Sequence, residues 1–296
     1  MTQKILRTCI AMLLAFTAVV GEAQNAQKTQ FPYPSVPDSI QDITRRYDFF
    51  VTHFWDNANL DAVLKNGETL EQTFKDYLLV MPQATPRASL SSIAKLTERA
   101  KINPKHLLTL ADLADRYAFG DSAIIDSDEV YLAFIKPVVQ NKKIKKEDRL
   151  RYAHQFTVLN NTRVGYPMGK VQGFDRTGTP VILEPDTTRA QIVFLSDPDC
   201  EDCKTIRARL KGNSRANELI KSGELEIIAL CMVDPDDGWR QAAKLYPENW
   251  TVITAPDLDM TLDLRGGTPS FILMDHGAIL AKSMTPERIM SILAQI

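Results

Sequence analysis

With 296 residues, 44% of them hydrophobic and 24% charged, the chain has an ordinary globular composition and the length for two domains. A formal net charge of −2 offers no electrostatic footprint for a polyanion, which excludes nucleic acid as a default partner. Four cysteines are too few for a disulfide scaffold, so a hydrophobic core must hold the fold.

The first 23 residues read as a signal peptide. Lys4 and Arg7 supply a positive start, Cys9 to Val20 is apolar, and Gly21 and Ala23 set small residues before a cut at Gln24. The apolar run is shorter than the ~20 residues that cross a bilayer, so no permanent membrane span is expected. Cys9 comes too early for a lipid-modified cysteine. The expected location is periplasmic or otherwise extracytoplasmic, where disulfides persist. Cleavage would leave Cys200, Cys203 and Cys231.

Residues 24–37 are polar and then proline-rich, an extended linker. A helical pattern follows. Ser39 is placed to cap a first helix whose apolar face is Ile43, Tyr47, Phe50 and Phe54. Further helices are expected over Thr69–Val80, Arg87–Ala100, Lys105–Ala118, Ser127–Val138 and Glu147–Leu159, giving an all-α domain of unknown role over 38–160. Its basic run, Lys142, Lys143, Lys145 and Lys146, reads as a solvated helix end.

Near Asn160 the periodicity changes. Lys170–Phe174 and Pro180–Leu183 flank an Asp-Arg-Thr-Gly turn and read as a hairpin. A buried strand at Gln191–Leu195 runs into Cys200-Glu201-Asp202-Cys203 and a helix continuing through Lys204–Leu210. There follow a helix at Arg215–Ser222, a strand at Leu225–Val233, a helix at Asp237–Leu245, a strand at Thr251–Thr254 and a helical turn at Asp259–Arg265. Two strands, Ser270–Met274 and Ala278–Ser283, precede a final helix with Thr285 as N-cap and Pro286 at its first position. Residues 161–296 are thus an α/β domain with a mixed sheet covered on both faces.

Cys-x-x-Cys serves zinc sites and redox pairs alike. Zinc needs two further ligands at suitable spacing, and Cys231, His53, His106, His154 and His276 form no second paired motif. No metal and no cofactor is therefore expected. The redox alternative has positional support. Cys200 falls at a strand-to-helix junction, where unpaired N–H groups and the helix dipole favour a thiolate. The i, i+3 spacing sets both sulfurs on one side of the first turn. Cys200 is then the attacking sulfur and Cys203 the one that resolves a mixed disulfide. Pro269, after Gly266-Gly267-Thr268 and before a strand, suits a cis peptide bond that would present the Thr268 backbone to an extended peptide.

Strand, CxxC, helix, Gly-Thr-Pro, hairpin and final helix together resemble the thioredoxin superfamily. The leading hairpin at 166–183 is similar to its exported TlpA-like branch, and the resemblance covers roughly 160–296. The helical half resembles uncharacterised domains that precede thioredoxin-like domains in exported bacterial proteins. The resemblance implies Cys200 as nucleophile, Cys203 as resolving cysteine and Pro269 as the cis-proline facing them. The chain departs from the family at Asp199, where an aromatic residue is usual, and at Asp202, where Pro is common. It departs again at Phe194, where thioredoxins hold a buried acid. Lys204 keeps the common Lys after the second cysteine.

Asp197, Asp199, Glu201 and Asp202 surround the pair. A unit charge ~6 Å from a thiolate opposes ionisation by about 0.7 kcal/mol in water and about 2.8 at an effective dielectric near 20. A disfavoured thiolate disfavours the dithiol form and lowers the potential. Asp199, Glu201 and Asp202 are accordingly read as tuning the site toward a reductant or isomerase-like thiol, with Asp199 alternatively a mere helix cap. Cys231 reads as a buried free thiol. Asp257, Asp259 and Asp263 lack the Gly and Glu of a calcium loop and read as caps and surface, while Trp55, Trp239 and Trp250 read as core or lid residues. Two functions compete. One is an exported thiol–disulfide oxidoreductase acting on protein or peptide thiols with an unidentified redox donor. The other is a non-catalytic binding module with a structural Cys200–Cys203 disulfide.

Overall fold

The computed structural model describes residues 31–295, so the expected signal peptide and residues 24–30 of the linker lie outside the described residues. Two compact units divide between Ser92 and Ile93.

The first unit carries α1 (Ile43–His53), α2 (Leu60–Lys65), α3 (Gly67–Val80) and the start of α4 (Pro86–Ala100). The cap of α1 is Asp42, not Ser39, because the Asp42 carboxylate accepts the Arg45 N–H at 2.8 Å while Pro37–Ile40 closes a turn of its own. Ile43 therefore starts the helix on its outer side, 63% exposed. The short helix α2, capped by Asn59, is not foreseen in the sequence pattern; six residues are too few to display helical periodicity. Phe31, Phe54 and Tyr77 pack ring on ring at 5.2 and 4.9 Å. The buried Tyr77 hydroxyl donates to Ser92, whose own hydroxyl donates to the Val51 carbonyl, each at 2.6 Å.

In the second unit, α5 (Pro104–Ala118), α6 (Asp128–Gln140) and α7 (Lys146–Asn161) precede the sheet. Asn103 and Ser127 cap the first two with side-chain acceptors. Their apolar faces, including Leu107, Leu110, Ala114, Phe134, Ile135 and Val138, are buried at helical spacing. Lys142, Lys143, Lys145 and Lys146 are exposed around the α6–α7 turn.

Seven strands follow: β1 (Val171–Phe174), β2 (Pro180–Leu183), β3 (Ala190–Leu195), β4 (Leu225–Cys231), β5 (Thr251–Thr254), β6 (Ser270–Asp275) and β7 (Ala278–Met284). They lie in the order β2-β1-β5-β4-β3-β6-β7. The β3–β4 and β4–β5 pairs are parallel and the rest antiparallel, a mixed sheet as expected. Alternate residues of the central strands feed two cores. Ile192, Phe194, Ile227, Ala229 and Cys231 pack with α8 (Glu201–Lys211), α9 (Ser214–Ser222), α10 (Asp237–Ala243) and α11 (Pro286–Leu293). Val193, Leu195, Ile228 and Leu230 pack with Met168, Leu258 and Leu262 on the other side.

The helical turn expected at Asp259–Arg265 is only a 3-10 turn at Leu258–Met260. The chain then bends because Asp263 accepts hydrogen bonds from the backbone and side chain of Arg265 and from Lys282. Asp263 is not surface, as its sequence context suggested, but 6% exposed. Arg265 and Lys282 also each approach Asp128, at the first turn of α6, to 2.6 Å. With His154 donating to the Asp259 carbonyl and Asn161 to that of Thr261, both at 2.9 Å, these contacts tie α6 and α7 to the segment that leads into residues 266–269.

Candidate functional site: a cysteine pair beside a cis-proline

Strand β3 ends at Leu195, and five residues later Cys200 occupies the N-cap of α8. Its backbone is extended, and its Sγ accepts the Cys203 N–H at 3.1 Å, the place a Ser or Asp oxygen takes at an ordinary cap. The cap role offered to Asp199 thus falls to Cys200, and the Asp199 N–H instead turns back to the Asp197 carboxylate at 2.8 Å. Cys200 is half-buried and Cys203 buried, both as free thiols. The geometry separates an outer sulfur, backed by helix-end donors, from an inner one.

Burial pushes the Cys203 thiol up to about 11, and the neighbouring Cys200 sulfur adds to the rise. The Asp197 backbone and the Ser196 hydroxyl work the other way. Cys203 is therefore held as a thiol at neutral pH until something draws its proton off. Asp199, Glu201 and Asp202 are exposed, and Glu201 pairs with Lys204 at 2.6 Å. A pair this open to water contributes little.

The Thr268–Pro269 peptide bond is cis. Leu195 and Ser270 are direct partners across β3 and β6, so the segment running to Cys200 and the Thr268–Pro269 loop leave the same end of adjacent strands. Thr268 is exposed there, above a cleft of about 230 Å³ lined by Asp197, Met232, Leu258, Leu264 and Gly267.

Phe194 is fully buried and stacked on Phe271 at 5.0 Å. Behind Cys203 lies a group of buried polar atoms that joins the expected buried thiol of Cys231 to two residues the sequence did not single out, Ser196 and Tyr246. Ser196 Oγ and Tyr246 Oη are 2.9 Å apart, and Cys231 Sγ is 3.5 Å from the same Tyr246 oxygen. Burial pushes the Cys231 thiol up to about 12 and raises Tyr246 as well. Ser196 follows a strand, and in that position it resembles any loop residue; Tyr246, fifty residues on, carried no signal at all. Trp239 and Trp250 are core residues, and the Trp239 indole donates to the Asp175 carbonyl at 2.9 Å. Among the described residues no cluster of metal-ligating side chains is present.

A solved thioredoxin-like protein from Bacteroides caccae superposes on this chain with a TM-score of 0.63 at 20% identity, covering 90% of this chain and 98% of its own. The C-terminal half has the thioredoxin-like fold. The thioredoxin-like half is also matched, at TM-scores below one half, by the C-terminal domain of an uncharacterized Bacteroides fragilis protein (0.40, 20% identity, 45% of this chain, 99% of that one). A second such match is the thioredoxin domain of a thiol-disulfide oxidoreductase from Bacteroides vulgatus (0.36, 21% identity, 45% and 96%). Ahead of the thioredoxin-like half, residues 19–162 match a family described as a domain of unknown function, DUF5106. No curated protein matches the chain.

Proposed function

We propose that the chain is an exported thiol–disulfide oxidoreductase, a reductant or isomerase-like enzyme working on protein or peptide thiols. The observation that carries this is the unequal pair: Cys200 at the α8 N-terminus with partial access to solvent, and Cys203 buried one turn behind it. In the reducing direction the Cys200 thiolate attacks one sulfur of a substrate disulfide, forms a mixed disulfide and expels the other sulfur, which takes a proton. The Cys203 thiolate then attacks Cys200 Sγ, forming the Cys200–Cys203 disulfide and releasing the second substrate thiol. Two electrons pass from the pair to the substrate, and a redox donor restores the dithiol.

Thr268, exposed beside the cleft, is in this reading the backbone that pairs with an extended substrate, and Pro269 faces the sulfurs. Asp199, Glu201 and Asp202 add negative charge at the rim, which works against a strongly oxidising couple. Export rests on the N-terminal sequence. Among the described residues no helix is long and apolar enough to cross a membrane. The segment 38–160 would orient a partner near the site.

Disulfide reduction in an insulin assay tests the reading. Turnover by the wild type that is abolished in Cys200→Ser supports it. Equal, negligible turnover by both favours a binding module with a structural disulfide.

A further inference from the structure

Gly266 and Gly267 stand immediately before Thr268, so the least restrained residue type adjoins the backbone that is to pair with substrate. The loop is braced toward β6. Ser270 Oγ donates to the Gly267 carbonyl at 2.6 Å, and the Gly267 N–H, at a φ of +66°, turns back to the Leu264 carbonyl at 2.9 Å. On its other side the loop runs out of four charges. Arg265 Nη2 meets Asp128 at 2.6 Å and Asp263 at 2.8 Å, and Lys282 Nζ meets both carboxylates at 2.6 Å. Guanidinium and ammonium groups donate and carboxylates accept, so the direction of each link is set by the residue types.

The surrounding structure brings these charges together from three directions. Between Ala281 and Met284, β7 carries one residue more than β6 opposite it. This bulge re-aims the strand and Lys282 points inward, its side chain 13% exposed. It also sets Ser283 about where a Cβ on Gly266 would lie, within 3.0 Å, so loop and strand touch directly. From the helical side, the Arg265 guanidinium lies 4.0 Å over the Phe119 ring, which stacks on Tyr131 at 4.3 Å. Tyr131 in turn donates to Asp115 of α5 at 2.9 Å.

Resting on the oxidoreductase reading, we infer that Asp128 of α6 is a positioning residue for substrate binding. Through Arg265 and Lys282 it holds the 266–269 loop so that the Thr268 backbone stands ready to pair with an extended substrate. Two carboxylates balance two cations here. Without Asp128 the cations share Asp263, and Arg265 loses its charged contact with α6. The glycines that follow then gain backbone freedom, which an extended substrate must remove on binding. A small disulfide that makes no main-chain pairing does not meet that cost. The helices α5 and α6 thus serve the site by buttressing the substrate loop, without touching the sulfurs.

Two disulfides offered to the reduced full chain separate loop order from sulfur reactivity. One is dithiobis(nitrobenzoate). The other is a short extended peptide whose single cysteine is capped by nitrothiophenolate. In both, Cys200 attacks one sulfur and the first nitrothiophenolate released reads the rate. In Asp128→Asn the ratio of the peptide rate to the small-disulfide rate is expected to fall roughly tenfold, the scale of re-ordering about one residue of backbone. Asp128→Glu, which keeps the carboxylate, recovers most of the ratio. Arg265→Lys, which keeps the charge but loses the fork and the ring contact, lowers it by a smaller factor and reads the same link from its other end. An unchanged ratio in Asp128→Asn and Arg265→Lys, a parallel fall of both rates included, overturns the inference and leaves the oxidoreductase reading standing. A wild type in which Cys200 reacts with neither disulfide overturns that reading and the inference with it.

Discussion

The Cys200 sulfur accepts the main-chain N–H of Cys203, so a single side chain is both the cap of α8 and the outer member of the pair. Removing that acceptor has a cost apart from chemistry. Cys200→Ala is expected to lower stability by about 1 kcal/mol, the usual value of an N-cap, whereas Cys200→Ser supplies an oxygen and stays close to wild type. Thermal unfolding of the two variants checks this, and equal midpoints would show that the sulfur is not a working cap.

Access and proton affinity both differ across the pair. Iodoacetamide at neutral pH is expected to label Cys200 well before Cys203 or Cys231, because the latter two are buried and pushed up to about 11 and about 12. Peptide mapping of the alkylated chain reads the order directly. Comparable labelling of Cys200 and Cys203 would contradict it.

Asp263 gives an acid-side signature. Hydrogen bonds and charge from Arg265 and Lys282 outweigh the cost of burial and lower its carboxyl from 3.8 to about 2. Because the folded value lies below the unfolded one, the stabilisation is complete above about pH 4 and lost as pH falls through about 2. Its size is about 2 kcal/mol. Asp263→Asn should lower stability at neutral pH by about 3 kcal/mol, since Arg265 and Lys282 lose a buried partner. The gap between variant and wild type should narrow as pH falls through about 2, as followed by urea unfolding across pH.

Arg176 holds four carbonyls at the end of α10 and in the segment after it: Ala243, Tyr246, Pro247 and Trp250. No other side chain has that fork geometry. Both Arg176→Lys and Arg176→Ala are therefore expected to destabilise the chain by about 2 kcal/mol or more. Hydrogen exchange should report the loss first over residues 243–250. Protection there unchanged in Arg176→Ala would count against the anchor.

Much of this was legible in the sequence. Alternating and continuous apolar runs marked β1 to β7 to within a residue or two, and Thr285-Pro286 marked the start of α11, since local patterns and caps set those elements. CxxC at a strand-to-helix junction and Gly-Thr-Pro before a strand located the candidate site, because each motif fixes a backbone geometry. What escaped was set by distant contacts. Asp263 turns inward because Arg265 and Lys282, two cations that also pair with Asp128 of the helical half, meet it there. Tyr246 lies behind Cys203 only because Arg176 and the sheet carry it there. Asp42 outcompeted Ser39 as a cap over a difference of three residues, below what periodicity resolves.

The central claim, that Cys200 and Cys203 form a working and not strongly oxidising pair, is tested most directly by redox titration of the full chain with mass-spectrometric readout of each cysteine. The account predicts one reversible two-electron couple joining Cys200 to Cys203, with Cys231 remaining a thiol and a midpoint well below the about −120 mV of a strong oxidant. A midpoint near that value, or no Cys200–Cys203 disulfide across the range, would contradict it.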